Sequence, residues 1–580
     1  MNGTTNKVTL NRSNFSQNSM RAIIFEYFSK STQALFLCGV MLYCLPVCAQ
    51  TNSPIKDTTI ETTKLDSNKD PGETNQDFDL VGTFTRTMQL GKEQENLGRY
   101  EEAIRLYGKA SQLVPVSPLP HRRRGALHSK LKLFNLAVAD FTKALQLEPQ
   151  DALSLIRRGL AYENLGQLDN ALIDCNKAIE EDPADAFFYW TRGNIRVKLK
   201  DYDQALKDYD KAIDQEPNNS EPHRLKGALY ELLQENLKAL DEYSKAISLD
   251  PNDYLLYWSR GEVYANLSIP TNGKELNLYL KTVKNGQHYD RAISDYSQAI
   301  KLVPDKKIKS QLYVERSHCF NGRQNYSQAI SDCTESISLT PNYEWAYYSR
   351  GLHYDCNNSP QKALEDFSKA ISLKPNDSRA LVQRGNIYFH RLKVFGQALA
   401  DYERAISLDP SGHWGARACL KKGSVFRKQG QQYKAIAEFN KAEKLRPTDK
   451  YITRMAQFSK SKAYCDLGLH DKAIRELKRS LDMTSTEMTA SLYYEQAIKE
   501  HPQKAWPYQG RGNAKFKLGQ LQGAIEDCTL AVSLEPKFAQ AYLTRGLAYK
   551  KLQQFQKAND DFAKAVKLDP KLAKGVALDQ

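Results

Sequence analysis

The sequence has little of what catalysis or metal binding requires. It contains no glycine-rich phosphate loop, no Gly-x-Ser-x-Gly elbow and no His-Glu-x-x-His pair. Its histidines are scattered, and His121, His128, His318 and His353 share no helical face. No Cys-x-x-Cys pair or Cys/His cluster has metal-ligand spacing, so neither a metal nor a cofactor is expected. Carboxylates are plentiful, but they sit inside a repeated pattern that fills most of the chain. The chain is therefore not expected to be an enzyme.

Long apolar runs are just as scarce. One, ALFLCGVMLYCLPVCA at 34–49, falls short of the roughly twenty residues a membrane helix needs. Lys30 precedes it, and Val47 and Ala49 form a small-residue cleavage pattern. Residues 1–49 are predicted to be a signal peptide, or a signal anchor where cleavage fails. An exported (periplasmic or extracellular) chain, or one membrane-anchored by 34–49, is the expected location, with a cytoplasmic chain as the alternative. The cysteines favour that alternative: Cys38, Cys44 and Cys48 lie in the run, and the remaining seven cannot all pair. Residues 50–81 carry few large apolar side chains and read as a flexible polar linker.

What the chain does have is a period. Pro recurs at 115, 149, 183, 217 and 251, and Gly at 91, 125, 159, 193, 227 and 261, each 34 apart. Ala keeps the same step at 103, 137, 171, 205 and 239. A fixed period of this length means stacked supersecondary units. Each unit reads as two helices: the first carries the Gly, and the second places Ala171, Cys175 and Ala178 on one face. Gly and Ala recur because two backbones must approach closely there. Cys175, Cys333 and Cys528 replace the Tyr or Phe of other copies and are expected to be small core residues.

On these residues the sequence resembles the tetratricopeptide repeat family, matching its W-x2-L-G-x2-Y…A-x3-F…P pattern over about 82–570, most clearly at 152–183, 186–217 and 539–570. The resemblance implies an all-α fold, an α-α superhelical solenoid of stacked antiparallel helix pairs, with thirteen repeats plus a partial one. Repeats 1–6 occupy 82–304 with an insertion near 268–286, and repeats 7–11 occupy 305–485. A partial repeat at 486–502, repeats 12–13 at 503–570 and a short tail at 571–580 follow. The chain departs from the family in one respect: the residue before the Gly, usually Leu, is basic here.

That base has a matching acid on the second helix. Arg goes with Asp at Arg124/Asp140, Arg158/Asp174, Arg192/Asp208, Arg260/Asp295, Arg316/Asp332, Arg350/Asp366, Arg384/Asp401, Arg511/Asp527 and Arg545/Asp561. Lys goes with Glu at Lys226/Glu242, Lys422/Glu438 and Lys460/Glu476. In the first repeat both become apolar together, Leu90 and Leu106. The long base takes the short acid and the shorter base the longer acid, which keeps the reach constant. The ladder is expected to be a structural set of ion pairs, because a groove for an acidic ligand would not need an acid at every rung.

The resemblance implies that first helices line a concave groove holding a peptide or protein segment, whose identity the sequence does not give. Candidates away from the Gly face are Phe187, Trp190, Asn194, Arg224, Trp258, Glu262, Trp345, Tyr348, Asn386, Lys421, Trp506, Gln509 and Asn513. Four of the five Trp are among them, and aromatic anchors suit protein interfaces. Packing between repeats is the alternative role. The carboxylate clamp of some family members is not expected, since its Lys positions hold Trp190, Val382 and Gln509 and its second Asn positions hold Leu225, Lys421 and Thr544.

Charge is uneven. The net charge is +14, and 411–482 alone carries seventeen Lys/Arg against seven Asp/Glu. This sector suits an anionic surface, but no RNA-type motif accompanies it, so nucleic acid is only the alternative partner. The tail after Pro570 is too short for a full capping helix, which leaves self-association through the last repeat as a further expectation.

Overall fold

The structure, a computed structural model, describes residues 76–267, 286–481 and 486–572. The predicted signal segment, the linker up to 75, all of the insertion but Gly286, and the tail beyond 572 lie outside the described residues. Helices and turns are the only regular elements among those described. They form thirteen antiparallel helix pairs and one single helix, Thr486–Glu500. The first pair starts at Gln76, six residues before the boundary expected at 82. The chain divides into two compact units, Met1–Thr340 and Pro341–Gln580, each an α-α solenoid of stacked pairs.

One pair shows how the sequence makes the unit. The first helix, Ala152–Asn164, ends where Gly166 takes φ +76°, a left-handed conformation that favours Gly. The Gln167 N–H reaches back to the Tyr162 carbonyl at 2.9 Å, closing the helix end. The second helix, Leu168–Glu181, buries Ala171, Asp174, Cys175, Ala178 and Ile179, and Pro183 follows its end. Asp185 then caps the next first helix, Ala186–Lys198, accepting from the Phe187 N–H at 2.8 Å.

Within a unit every helix packs on the one before and the one after it. Successive first helices also touch, as Ala152–Asn164 does Ala186–Lys198 and as Ser378–Asn386 does His413–Lys428. No comparable contact joins successive second helices among the described residues. First helices therefore form the crowded side of each stack. The face they turn away from their second helices is where the candidate site has to be sought.

Close approach sets the Gly requirement, and it differs between copies. A Cβ on Gly193 would stand 2.7 Å from the Tyr209 ring, which is 1% exposed and has nowhere to move. At Gly159 it would meet the Ala171 carbonyl at 3.3 Å, the Cys175 sulfur at 3.4 Å and the Asp174 Cβ at 3.5 Å. Gly193→Ala is therefore expected to cost about 1–3 kcal/mol through overpacking. Gly159→Ala stays near neutral, because the better helix propensity of Ala, worth about 1 kcal/mol, offsets a mild contact. Urea denaturation of both variants checks the contrast, and equal losses would refute it.

Candidate binding face on the first helices

All twelve paired positions lie in direct contact. Arg158 Nε and Nη2 donate to the two Asp174 oxygens at 2.7 and 2.8 Å, a bidentate fork. The same fork joins Arg124 to Asp140, Arg192 to Asp208, Arg260 to Asp295, Arg316 to Asp332, Arg350 to Asp366, Arg384 to Asp401, Arg511 to Asp527 and Arg545 to Asp561. Lys226, Lys422 and Lys460 reach Glu242, Glu438 and Glu476 at 3.3, 3.0 and 3.1 Å. The Asp partners are 1–6% exposed.

The bases have a third contact that the sequence comparison missed. Arg158 Nη1 donates to Thr142, Arg192 Nη1 to Asn176, Arg260 Nη1 to Ser244 and Arg384 Nη1 to Ser368, at 2.9–3.1 Å. Each acceptor sits on the second helix of the preceding repeat. One guanidinium thus ties its own pair and the pair before it. Where the base is Lys, a second carboxylate takes this place: Asp210 for Lys226 at 2.6 Å, Glu403 for Lys422 at 3.2 Å and Glu443 for Lys460 at 2.6 Å. The signal was present: a small polar or acidic residue stands two positions after most ladder acids.

A second set of ties joins successive first helices, from an acid four positions beyond one Gly to a base five or six beyond the next. Lys198 reaches Glu163 at 2.8 Å, and Arg391 reaches Asp355 at 2.7 Å. Glu231 holds the matching acid position, but Asn266 stands where the base would be. Glu231, 7% exposed, instead accepts from the Tyr243 hydroxyl at 3.3 Å. With Glu262 and Glu315 it makes a run of carboxyls on three successive first helices. Burial raises all three above the usual range, Glu262 to about 7 and Glu315 to about 8, and the charge of Glu262 adds to the effect on the other two.

The groove candidates are less open than their positions suggested. Trp190 and Tyr348, expected at exposed positions, are buried at 9% and 2% exposed, because the side chain three before the Gly also meets the next first helix. Phe187 packs edge-on against Trp190. Asn194 and Asn386 accept hydrogen bonds from the buried Tyr209 and Tyr402 hydroxyls at 2.8 and 2.9 Å. Trp258 Nε1 donates to Glu262 at 3.1 Å, and Arg224 is held by Glu221. Trp506 stacks on His470 at 4.3 Å, in an aromatic nest where the single helix Thr486–Glu500 brings Tyr493 and Tyr494. Gln509 and Asn513 are half-buried on the helix Ala505–Lys517.

The structure brings together two candidates, Trp345 and Tyr348, with neighbours the sequence did not single out. Trp345 stacks on Tyr348 at 4.7 Å, and the Arg379 guanidinium lies 5.0 Å over the Trp345 ring. Gln383 stands 3.5 Å from the Tyr348 hydroxyl. Arg417, 4% exposed, lies over Trp414 at 5.0 Å and Tyr451 at 5.5 Å. Lys421 follows one turn later. Burial, and then the charge of Arg417, push its amine down to about 8.

Part of the basic sector is paired. Arg427 meets Asp466 at 2.6 Å, and Arg479 bridges Glu443 and Glu476 at 3.0 and 3.2 Å. No carboxylate among the described residues pairs with Lys421.

Family models described as "Tetratricopeptide repeat" match residues 123–151, 152–185, 378–411, 416–449 and 539–572, and one described as "TPR repeat" matches 193–234. No curated protein matches the chain. Among solved structures, yeast Tom70 is 17% identical, with 86% of this chain and 99% of that one covered and a TM-score of 0.32. A tetratricopeptide repeat protein from Parabacteroides merdae is 19% identical over 47% of this chain and 99% of that one, with a TM-score of 0.35. YrrB, described as having an unusual peptide-binding site, is 21% identical over 42% and 95%, with a TM-score of 0.24.

Proposed function

The chain is a tetratricopeptide repeat protein, and from that premise we propose that it is a non-catalytic scaffold holding a peptide or protein segment along the exposed face of its first helices. A general role in protein interaction comes with the fold; the binding face is the proposal. The observation that carries it is the fixing of first-helix side chains by the next repeat, with Arg379 over Trp345 and Gln383 against Tyr348. Side chains already ordered lose little freedom on binding, which favours a partner that meets them there. The alternative, nucleic acid along the basic sector, has less support because Arg427, Lys422, Lys460 and Arg479 already face carboxylates.

A photo-crosslinking amino acid in place of Leu352 or Ser424, on first helices, tests this against one in place of Tyr433, which is 73% exposed on a second helix. Partners are expected to attach from the first-helix positions in the full chain. Attachment from Tyr433 alone would place recognition on the opposite side.

A further inference from the structure

Several lysines on the outer side of second helices meet an acid one turn away. Lys211 has Asp214, Lys238 has Glu235 and Lys245 has Asp241. The helix Gln432–Leu445 departs from that pattern. Its exposed side chains are Tyr433, Lys434, Ala437, Asn440, Lys441 and Lys444, three cations and no acid. Its two acids are taken: Glu438 by Lys422 at 3.0 Å and Glu443 by Lys460 at 2.6 Å. The second helix of the following repeat, His470–Leu481, adds exposed Lys472 and Arg475 against one exposed acid, Asp471. Arg479 reaches from it to Glu443 at 3.0 Å, which holds the two helices side by side. No carboxylate among the described residues pairs with Lys434, Lys441, Lys444, Lys472 or Arg475. Like charges gathered on one side repel, so the fold gains nothing from them.

We propose that this second-helix face, with Lys434, Lys441, Lys444, Lys472 and Arg475, docks on an anionic lipid bilayer, a role separate from the first-helix binding face. Charge complementarity is the first argument. A bilayer rich in acidic lipid is a plane of negative charge, and each Lys brought near it adds about fivefold to binding. Shape is the second. Successive first helices touch and successive second helices do not comparably, so within the unit the second helices splay apart on the convex side. A convex face can meet a plane, whereas a nucleic-acid strand is tracked by a groove lined with stacking rings. Rings alongside are covered by the same cations, Phe426 by Lys434 at 5.8 Å and Tyr464 by Lys472 at 5.9 Å. Tyr433 is left open, 73% exposed beside Lys434. A ring with a polar tip next to lysines suits the headgroup level of a bilayer, where one end is apolar and the other wet.

The test is flotation of the full chain with vesicles of phosphatidylcholine alone and of phosphatidylcholine with about one-third phosphatidylglycerol. The apolar run at 34–49 is common to every sample, so the excess on anionic vesicles is the quantity read. The native chain is expected to prefer the anionic vesicles by at least about tenfold, and less as salt rises. Lys434→Gln, Lys441→Gln and Lys444→Gln together should abolish that preference, a loss of up to about a hundredfold. Lys207→Gln, Lys211→Gln and Lys245→Gln together make the same change of charge on second helices that also expose acids, and should cost no more than about threefold. All six lysines are exposed, so thermal unfolding should stay nearly unchanged in both variants, which separates lost docking from lost folding. Equal binding to the two vesicles, equal losses in the two variants, or tighter binding of oligo-dT or poly-Glu than of anionic vesicles at matched charge would each overturn the proposal. A photo-crosslinking amino acid in place of Tyr433 is expected to label lipid in the vesicle-bound chain. Crosslinks from there to protein alone would overturn it as well, whatever the first-helix positions capture.

Discussion

Replacing Asp208 by Ala is expected to cost about 3–5 kcal/mol. Asp208 is 2% exposed and accepts from Arg192 Nη2 at 2.7 Å and Arg196 Nη1 at 2.7 Å. Removing it strands two guanidinium groups at the junction of Ala186–Lys198 and Tyr202–Gln215. The pair itself need not add stability over an apolar contact; the loss comes from leaving charge behind. A surface pair behaves differently: Asp214, 67% exposed and 3.7 Å from Lys211, should change stability by less than about 1 kcal/mol when replaced.

Repeat arrays open locally, so hydrogen exchange in those two helices is the sharper measurement, with urea unfolding alongside. Adding Arg192→Ala should recover part of the loss, since only Arg196 then stays unmatched. A cost below about 1 kcal/mol for Asp208→Ala would mean the ladder is decorative. The third contact also bears on exchanging the signs of Arg158 and Asp174. That exchange restores the fork but abandons Thr142, so recovery is expected to be incomplete.

The repeat and its ladder could be read from the sequence because one packing problem is solved many times in a single chain. Each Gly answers a ring or backbone at close range, and each base answers an acid, so covariation among copies reports contact. The first-helix face could not be read this way, because it is where copies differ. Position relative to the Gly selected Trp190 and Tyr348, but whether such a residue is open depends on the size of what the next repeat places beside it. Asn194 and Asn386 looked like ligand donors and serve buried tyrosines instead.

The acidic run at Glu231, Glu262 and Glu315 fixes how stability should change with pH. Glu315 is half-buried, and burial, with Glu262 nearby, raises its carboxyl to about 8. A raised folded value means the native state holds a proton that the unfolded chain has released. The stabilising effect is full below the unfolded value near 4.5 and is lost as pH rises through about 8. Glu315→Gln abolishes that dependence without changing shape. Native and variant chains are expected to melt together near pH 4.5, and the variant should become the more stable as pH rises, by about 2–4 kcal/mol above pH 8. This is opposite in sign to a paired acid such as Asp208, whose loss destabilises. Thermal unfolding at pH 5 and pH 9 separates the cases. A difference that stays constant between the two pH values would mean that Glu315 is ionised in the folded chain throughout, with its charge well solvated on the first-helix face.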